Sequence, residues 1–378
     1  MTIKALFFCK KCITFSTRPR IKFNEQGICS ACTWSIEKKK IDWKQRQKGL
    51  EKLFINSKNN EFKKDNYECL VAVSGGKDGA YVAYKLKHKF NKKILTVTVK
   101  PPLPTDLGKK NLDAFVESGY DHIFITPNQN AMRVLNLIGF EEMGFPYYGW
   151  LISIHTVLIR VATKMNIPLI FYSEDGEVEY GGDTKYKNKN FYGIEYMKTH
   201  YLEGGYKKIV EMAKKRGVDN NMLYWFTFPN DSIIRKSNIK VSHYSYFENW
   251  DSYKNYLIAK THCGLKENKV LNKGTYTNFS QTDQDLYTLH VYLMYLKFGF
   301  GRATQDACID IRRGSMSREQ GLEMIRLFDN YYPKNSINKY LDYYQITKKK
   351  FDSILDKWAN KNLFEKKKNI WKPKFKVM

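Results

Sequence analysis

Apolar and polar positions follow two rhythms along this chain. Leu70–Val73 is an apolar run too short for a helix, and it empties into the polar turn Ser74-Gly-Gly-Lys-Asp-Gly79. That pattern predicts a buried parallel strand, a glycine-rich loop, and a helix beginning near Asp78. Val82, Ala83, Leu86 and Phe90 then recur at helical spacing, and Ile94–Val99 is a second β-rich run, which completes one βαβ unit. A helix around Lys109–Ser118, a strand His122–Thr126, a long helix Tyr148–Lys164 and a short strand Leu169–Ser173 extend the alternation. The expected class is α/β, a parallel sheet with helices on both faces, which binds ligands at the carboxyl ends of its strands.

The flanks break this rhythm. Ile36, Ile41, Trp43, Leu50, Leu53 and Phe54 stand among charges and predict one amphipathic helix from Trp34 to about Phe54, followed by a polar linker over Asn56–Asn66. After about Leu257 the character changes. Leu286–Phe298 is apolar on nearly every face and reads as a buried helix, and Ile337–Leu355 and the Lys-rich end are expected to add further helices. The resulting division is a zinc-binding ribbon or knuckle over 1–45, a helix and linker over 46–66, a nucleotide domain over 67–256, and a mainly helical region over 257–378 that completes the substrate site.

Composition narrows the function classes. With 378 residues, 43% hydrophobic and 15% aromatic, the chain can bury one large core or two smaller ones and is not a disordered protein. No apolar run reaches the roughly 18 to 20 residues of a membrane span, and the apolar stretch at the N-terminus is too short for a secretory signal. A cytoplasmic location without membrane contact is expected. Lys and Arg number 64 against 38 Asp and Glu, a formal net charge of +26. The basic runs are short, Lys38–Lys40, Lys348–Lys350 and Lys366–Lys368, and read as solvated faces. The field therefore suits an acidic small molecule or an acidic partner better than nucleic acid. His155, His243, His262 and His290 stand isolated in aromatic or apolar stretches and are read as core or rim residues.

Chemistry concentrates in four places. Cys9-x2-Cys12 and Cys29-x2-Cys32 have the spacing of a closed tetrahedral zinc site with a structural role. A redox reading is disfavoured because neither pair opens the helix of a βαβ unit. In the loop, the Walker pattern fails because Val71 stands where its first glycine belongs and Asp78 follows Lys77, and GxGxxG is absent. What remains is Ser74, Gly75, Gly76, Lys77, Asp78 and Gly79, where glycine N–H groups, a helix N-terminus, the Lys77 charge and the Ser74 hydroxyl can hold a pyrophosphate. Asp78 either caps the helix or helps hold Mg²⁺. This loop resembles the SGGxDS signature of the PP-loop, or N-type ATP pyrophosphatase, superfamily (HUP-like), departing from it at Gly79.

After the strand ending near Ser173 come five carboxylates, Glu174, Asp175, Glu177, Glu179 and Asp183, within ten residues. So many acids call for a cation, and the segment is read as a Mg²⁺ and substrate site. Further on, Gly299-Phe-Gly-Arg-Ala-Thr304 and Asp310–Gln320 carry Arg302, Arg312 and Arg313 as candidate ligands for a carboxylate or phosphate. Arg318 reads as first-turn surface, and Ser317 with Gln320 as a capping box.

Together the double CxxC, SGGKDG, GEVEYGG and FGRAT…IRRGSMSREQ resemble the N-acetyl sugar amidotransferase family, in its PseA-type branch of pseudaminic acid biosynthesis and flagellin glycosylation. The resemblance implies an ATP-dependent, AMP-forming ligase that converts a sugar N-acetyl group to an acetamidino group. It implies that Ser74–Gly79 hold the pyrophosphate and that Val97–Lys100, with Val99, lie near the adenosine. Lys77, Asp78, Glu177, Glu179 and Asp183 would be catalytic, and Tyr180, Gly181, Gly182, Arg302, Arg312 and Arg313 would face the anionic sugar. ATP, Mg²⁺ and a structural Zn²⁺ on Cys9, Cys12, Cys29 and Cys32 are the implied cofactors. No glutaminase signature is visible, so ammonia is expected from a separate glutaminase subunit or from solution, and a homo-oligomer is compatible with the sequence. The alternative is a PP-loop tRNA-modifying enzyme of thiolation or lysidine type. Against thiolation, Cys263 and Cys308 are single and far from the loop in sequence. A zinc-ribbon nucleic-acid adaptor with a degenerate nucleotide domain is disfavoured by the intact SGGKD.

Overall fold

The computed structural model describes residues 6–57, 66–173 and 177–377. Five strands, β1 (Cys69–Ala72), β2 (Ile94–Val99), β3 (His122–Ile125), β4 (Leu169–Tyr172) and β5 (Lys240–His243), form one sheet in the order β3-β2-β1-β4-β5. All four pairings are parallel. Period-two alternation divides the strand side chains between two cores. Leu70, Val97, Ile170 and Tyr172 meet the helices Gln129–Met143 and Tyr148–Lys164 and much of the C-terminal region. Cys69, Val71, Leu169 and Phe171 meet Leu50 and Phe54 of the helix Trp43–Ser57, the helix Lys77–Tyr84 and Ala259. Covered on both sides, β2 and β4 are buried along their whole length, as parallel strands with helical crossovers are.

The order of the strands places the site. The chain runs from β1 outward through β2 to β3 and then returns across the sheet to β4, so crossovers diverge on the two sides of β1. The crevice at the carboxyl end of β1 is such a switch point, and the loop Val73–Gly76 lies in it.

The flanks differ from the expectation in three ways. The single helix over Trp34–Phe54 is two, Ser30–Glu37 and Trp43–Ser57, because Ile41 is extended and Asp42 accepts from Gln45 N at 3.0 Å. Ile337–Leu355 is likewise split into Ile337–Tyr344 and Lys348–Trp358, with Gln345 left-handed (φ 55°) and Thr347 capping the second helix. The Lys-rich end is not helical. It is an antiparallel hairpin, β6 (Phe364–Lys367) and β7 (Ile370–Pro373), turned by Lys368 and Asn369, both at positive φ. Two consecutive left-handed residues match the right-handed twist of a hairpin, and the lysine content hid that geometry.

Residue 257 falls inside the helix Ser252–His262, which packs on Lys77–Tyr84. The linker expected over Asn56–Asn66 falls largely at 58–65, outside the described residues. His155 is a core residue and His290 is half-buried, and the titration of both is pushed down to about 3 because burial disfavours the charged ring. His155 Nδ1 lies 2.7 Å from the Tyr172 hydroxyl. His262 stacks on Tyr84. Among the described residues no helix is long and apolar enough to cross a membrane.

Candidate active site and tetracysteine centre

The end of β1 is held by three hydrogen bonds, two with β2 and one with the residue after β4. Val73 N donates to Val97 O at 3.0 Å, Thr98 Oγ1 donates to Val73 O at 2.8 Å, and Ser173 Oγ donates to Ala72 O at 2.7 Å. The loop then turns through Gly75, at φ +80°, where an added Cβ would stand 2.7 Å from Leu112 N. Gly76, not Asp78, is the N-cap of the helix Lys77–Tyr84, and it supplies no side chain to that N-terminus. Asp78 therefore sits in the first turn with its carboxylate already held. Lys77 Nζ pairs with one oxygen and Asn255 Nδ2 donates to the other at 2.8 Å. Ser74 hydrogen-bonds Asp283, a buried acid pushed up to about 6 by desolvation.

Gly79, the position at which the loop departs from SGGxDS, has a steric cause. A Cβ there would lie 3.0 Å from Val73 Cα and 3.1 Å from Ala72 O. The first helical turn rests directly on the strand end. Gly79→Ser is therefore expected to destabilise the protein by about 1 to 3 kcal/mol, read as a lower urea midpoint at unchanged slope.

A cavity of about 550 Å³ opens beside the loop. It gathers residues from all three sequence constellations: Lys77 and Asp78, Glu179 and Tyr180, and Arg302, Arg312 and Arg313. Sequence reasoning missed several of its walls. Lys38, Lys39 and Trp43 come from the N-terminal segment, Trp250, Asp251 and Tyr253 from before the helix Ser252–His262 and its first turn, and Phe279 from the loop beyond. Asp306 and Asp310 also line it. Their i+4 and i+8 spacing from Arg302 on the helix Arg302–Arg313 was a readable signal, since those positions share a face.

The other candidate residues lie elsewhere. Ser74, Gly75, Gly76, Gly79, Val99, Gly181, Gly182 and Asp183 do not line the cavity. The Val99 carbonyl accepts from Trp150 Nε1 at 3.1 Å. Asp183 caps a short turn by accepting from Lys185 N at 2.9 Å, and this bond, with nearby His200, holds its carboxyl below the usual range. Gly181, at φ +85°, packs where a Cβ would meet Ile21 Cδ1 at 2.4 Å. Glu174, Asp175 and the side chain of Glu177 lie outside the described residues.

The three arginines have different commitments. Arg302 Nε donates to Asp306 Oδ1 at 2.8 Å. Arg312 donates to the backbone oxygen of Glu179 at 2.7 Å and faces Cys12 Sγ at 3.9 Å. Arg313 lies 4.3 Å from the Tyr253 ring centroid, with Asp251 at 3.3 Å and Asp310 at 4.0 Å. Burial pushes the Asp310 carboxyl up, against a hydrogen bond donated by Tyr276 at 2.7 Å.

The glycine and threonine of the FGRAT segment are structural. Buried Asp329 accepts from Gly301 N at 2.9 Å, from Thr304 N at 3.0 Å and from the Thr304 hydroxyl, and so caps the helix Arg302–Arg313 from 25 residues away. Burial nevertheless pushes Asp329 up to about 6. The folded chain then binds a proton that the unfolded chain has lost, so this contribution is present below the unfolded pKa of about 4 and declines as pH rises to about 6. The stability advantage of the native chain over Asp329→Asn is expected to shrink by about 2 to 3 kcal/mol between pH 4 and 7, measured by urea unfolding of both proteins.

The four CxxC cysteines are fully buried, with their ligand atoms all within 4.8 Å of one another. Cys9 Sγ lies 3.9 Å from Cys32 Sγ, and Cys12 Sγ 3.7 Å from Cys29 Sγ. Four thiolates around one tetrahedral ion at ~2.3 Å stand ~3.8 Å apart, so the donor set fits a single metal ion. Backbone N–H groups already point at two sulfurs, Cys29 N at Cys9 Sγ (3.2 Å) and Thr14 N at Cys12 Sγ (3.4 Å). A fifth thiol, Cys308, accepts from Thr14 Oγ1 at 3.2 Å. The knuckle packs on Ala307, Cys308, Leu322 and Ile325 of the C-terminal region.

Residues 273–377 match the family model of the LPS biosynthesis protein WbpG-like, C-terminal domain. No curated protein matches the chain. Among solved structures, the U34-tRNA thiolase NcsA from Methanococcus maripaludis, with its [4Fe-4S] cluster, is 15% identical at a TM-score of 0.32, over 82% of this chain and 88% of that one. The NH3-dependent NAD synthetase from Campylobacter jejuni subsp. jejuni, in complex with the nitrate ion, is 14% identical at a TM-score of 0.28, over 52% of this chain and 93% of that one.

Proposed function

We propose that the protein is a PP-loop enzyme, an ATP-dependent, AMP-forming amidotransferase that converts the N-acetyl group of an anionic, nonulosonic-type sugar of the pseudaminic kind to an acetamidino group. One observation carries the reading: a single cavity holds the Lys77–Asp78 end of the glycine loop together with Tyr180, Arg302 and Arg313. The C-terminal match to an LPS biosynthesis domain supports a sugar substrate over a tRNA.

In this chemistry the amide oxygen attacks the α-phosphorus of ATP, the bond to the bridging oxygen breaks, and pyrophosphate leaves. The amide N–H proton is lost as the O-adenylyl imidate forms. Ammonia then adds to the imidate carbon, AMP departs with its oxygen, and the neutral amidine takes up a proton at pH 7. Lys77, at the N-terminus of the helix that follows the loop, stabilises the departing pyrophosphate. Arg313, laid on the Tyr253 ring in the wall of the cavity, is the cation we assign to the sugar carboxylate. Asp78 would be the protein group to hold a magnesium ion, exchanging its Lys77 partner for the ion, which would neutralise the nucleotide phosphates. Ammonia is supplied by a separate glutaminase subunit or from solution. We assign zinc to the four cysteines, since a [4Fe-4S] cubane holds its thiolates on four separate irons, farther apart than around a single ion. Seven free, buried cysteines suit a cytoplasmic enzyme.

The test is release of AMP and pyrophosphate. It is expected with an N-acetylated nonulosonic acid plus ammonium, and stimulation by bulk tRNA but not by the sugar would overturn the reading.

A further inference from the structure

The tetracysteine knuckle does more than fold the N-terminus. Cys29 is the N-cap residue of the helix Ser30–Glu37, and Cys32 lies in its first turn, so two of the four metal ligands fix where this helix starts and how it points. Its other end reaches the cavity. Trp34 Nε1 donates to Glu179 Oε1 at 2.8 Å, and Lys38 Nζ, just beyond the helix, pairs with the same oxygen at 2.5 Å. Ser35, Lys38 and Lys39 line the cavity directly.

A second link runs through Arg312. One of its terminal nitrogens faces the sulfur of Cys12, a third metal ligand, and the other donates to the backbone oxygen of Glu179. A third link is steric. Gly181, at φ +85°, packs on Ile21 and Ala31 of the knuckle, where a Cβ would have to push the Ile21 Cδ1 methyl aside. The turn that presents Tyr180 to the cavity is thus gripped by the knuckle through its side chain, its backbone oxygen and its following glycine.

We infer that the metal centre is a positioning device for the substrate cavity: bound metal orders the Glu179–Tyr180 turn through Trp34, Lys38 and Arg312, and Glu179 and Arg312 are positioning residues, not substrate or Mg²⁺ ligands. A thiolate set that folds with its ion couples ion binding to whatever the folded unit holds. Glu179 Oε1 and the Arg312 fork are already engaged in that grip, while Arg302, paired with Asp306, Arg313, paired with Asp251, and Lys39 also line the cavity.

The experiment compares hydrogen exchange of 177–183 in the metal-loaded full chain, in the chain after chelation, and in Trp34→Phe and Arg312→Lys, with metal content measured for each. Both variants are expected to keep one metal per chain, yet to exchange this segment roughly tenfold faster, because each loses one hydrogen bond with a charged partner. Chelation is expected to do the same or more. Unchanged protection of 177–183 in the two variants, or after metal loss, would overturn the inference. A further arm rests on the proposed reaction: Trp34→Phe should raise the KM for the sugar at nearly constant kcat. Loss of turnover in Glu179→Gln with exchange unchanged would instead make Glu179 a catalytic residue. The exchange and metal measurements use no substrate, so they stand or fall apart from the proposed function.

Discussion

Replacing Lys77 by alanine is expected to lower AMP-forming turnover about a thousandfold, the scale of removing one preorganised charge from a site where negative charge develops. Lys77 is only 8% exposed, and it stands at the N-terminus of the helix that follows the loop. Its ammonium is paired with Asp78 and faces the cavity, so its position is set before a ligand arrives. The fold should survive, because Asp78 keeps the hydrogen bond from Asn255 and the cavity admits water to the freed carboxylate. The measurement is pyrophosphate release with the thermal midpoint recorded alongside. Lys77→Arg should not rescue, since a planar guanidinium on a longer stem cannot occupy the same buried point. Undiminished turnover in Lys77→Ala would remove the loop from the reaction.

The second large effect is expected at the knuckle. Cys12→Ser and Cys29→Ser should each reduce bound metal from one equivalent to near zero and lower the thermal midpoint by about 10 °C or more, because structural zinc sites supply on the order of 10 kcal/mol to the units they fold. The core beneath them is small: besides the four cysteines it holds few buried apolar residues, among them Ile13, Ala31, Ala307, Leu322 and Ile325. Without the ion, four buried thiols face one another with little apolar area to hold the segment in place. Limited proteolysis should then cut within 6–40 in the variants and not in the metal-loaded chain. A retained metal equivalent with an unchanged midpoint would show that these cysteines are not its ligands.

Much of the architecture was legible because it is written in local period. β2, the helix Tyr148–Lys164 and the helix Leu286–Phe298 coincide with their expected bounds. The apolar strand before Ser74 is β1 at the centre of the sheet. Where the reading missed, a single residue had changed the chain's direction. Asp42 and Thr347 start new helices inside patterns that look continuous, and Lys368 with Asn369 turn a basic tail into a hairpin. β5 escaped because Lys-Val-Ser-His offers four residues and one exposed lysine, too little for any period to register.

By itself, the sequence determined the α/β alternation, the glycine loop at a strand end and the four-thiol set. Each is a pattern within one element or one short spacing, where backbone geometry alone fixes which side chains share a face or a turn. Only the tertiary structure decided the rest of the site. Trp34 and Glu179 are 145 residues apart, and Arg313 and Asp251 are 62 apart. No periodicity connects such pairs, because their meeting depends on how the knuckle, the sheet edge and the C-terminal helices pack. That packing made the N-terminal segment a wall of the cavity, turned Asp329 into a remote helix cap, and gave Arg302, Arg312 and Arg313 three different partners.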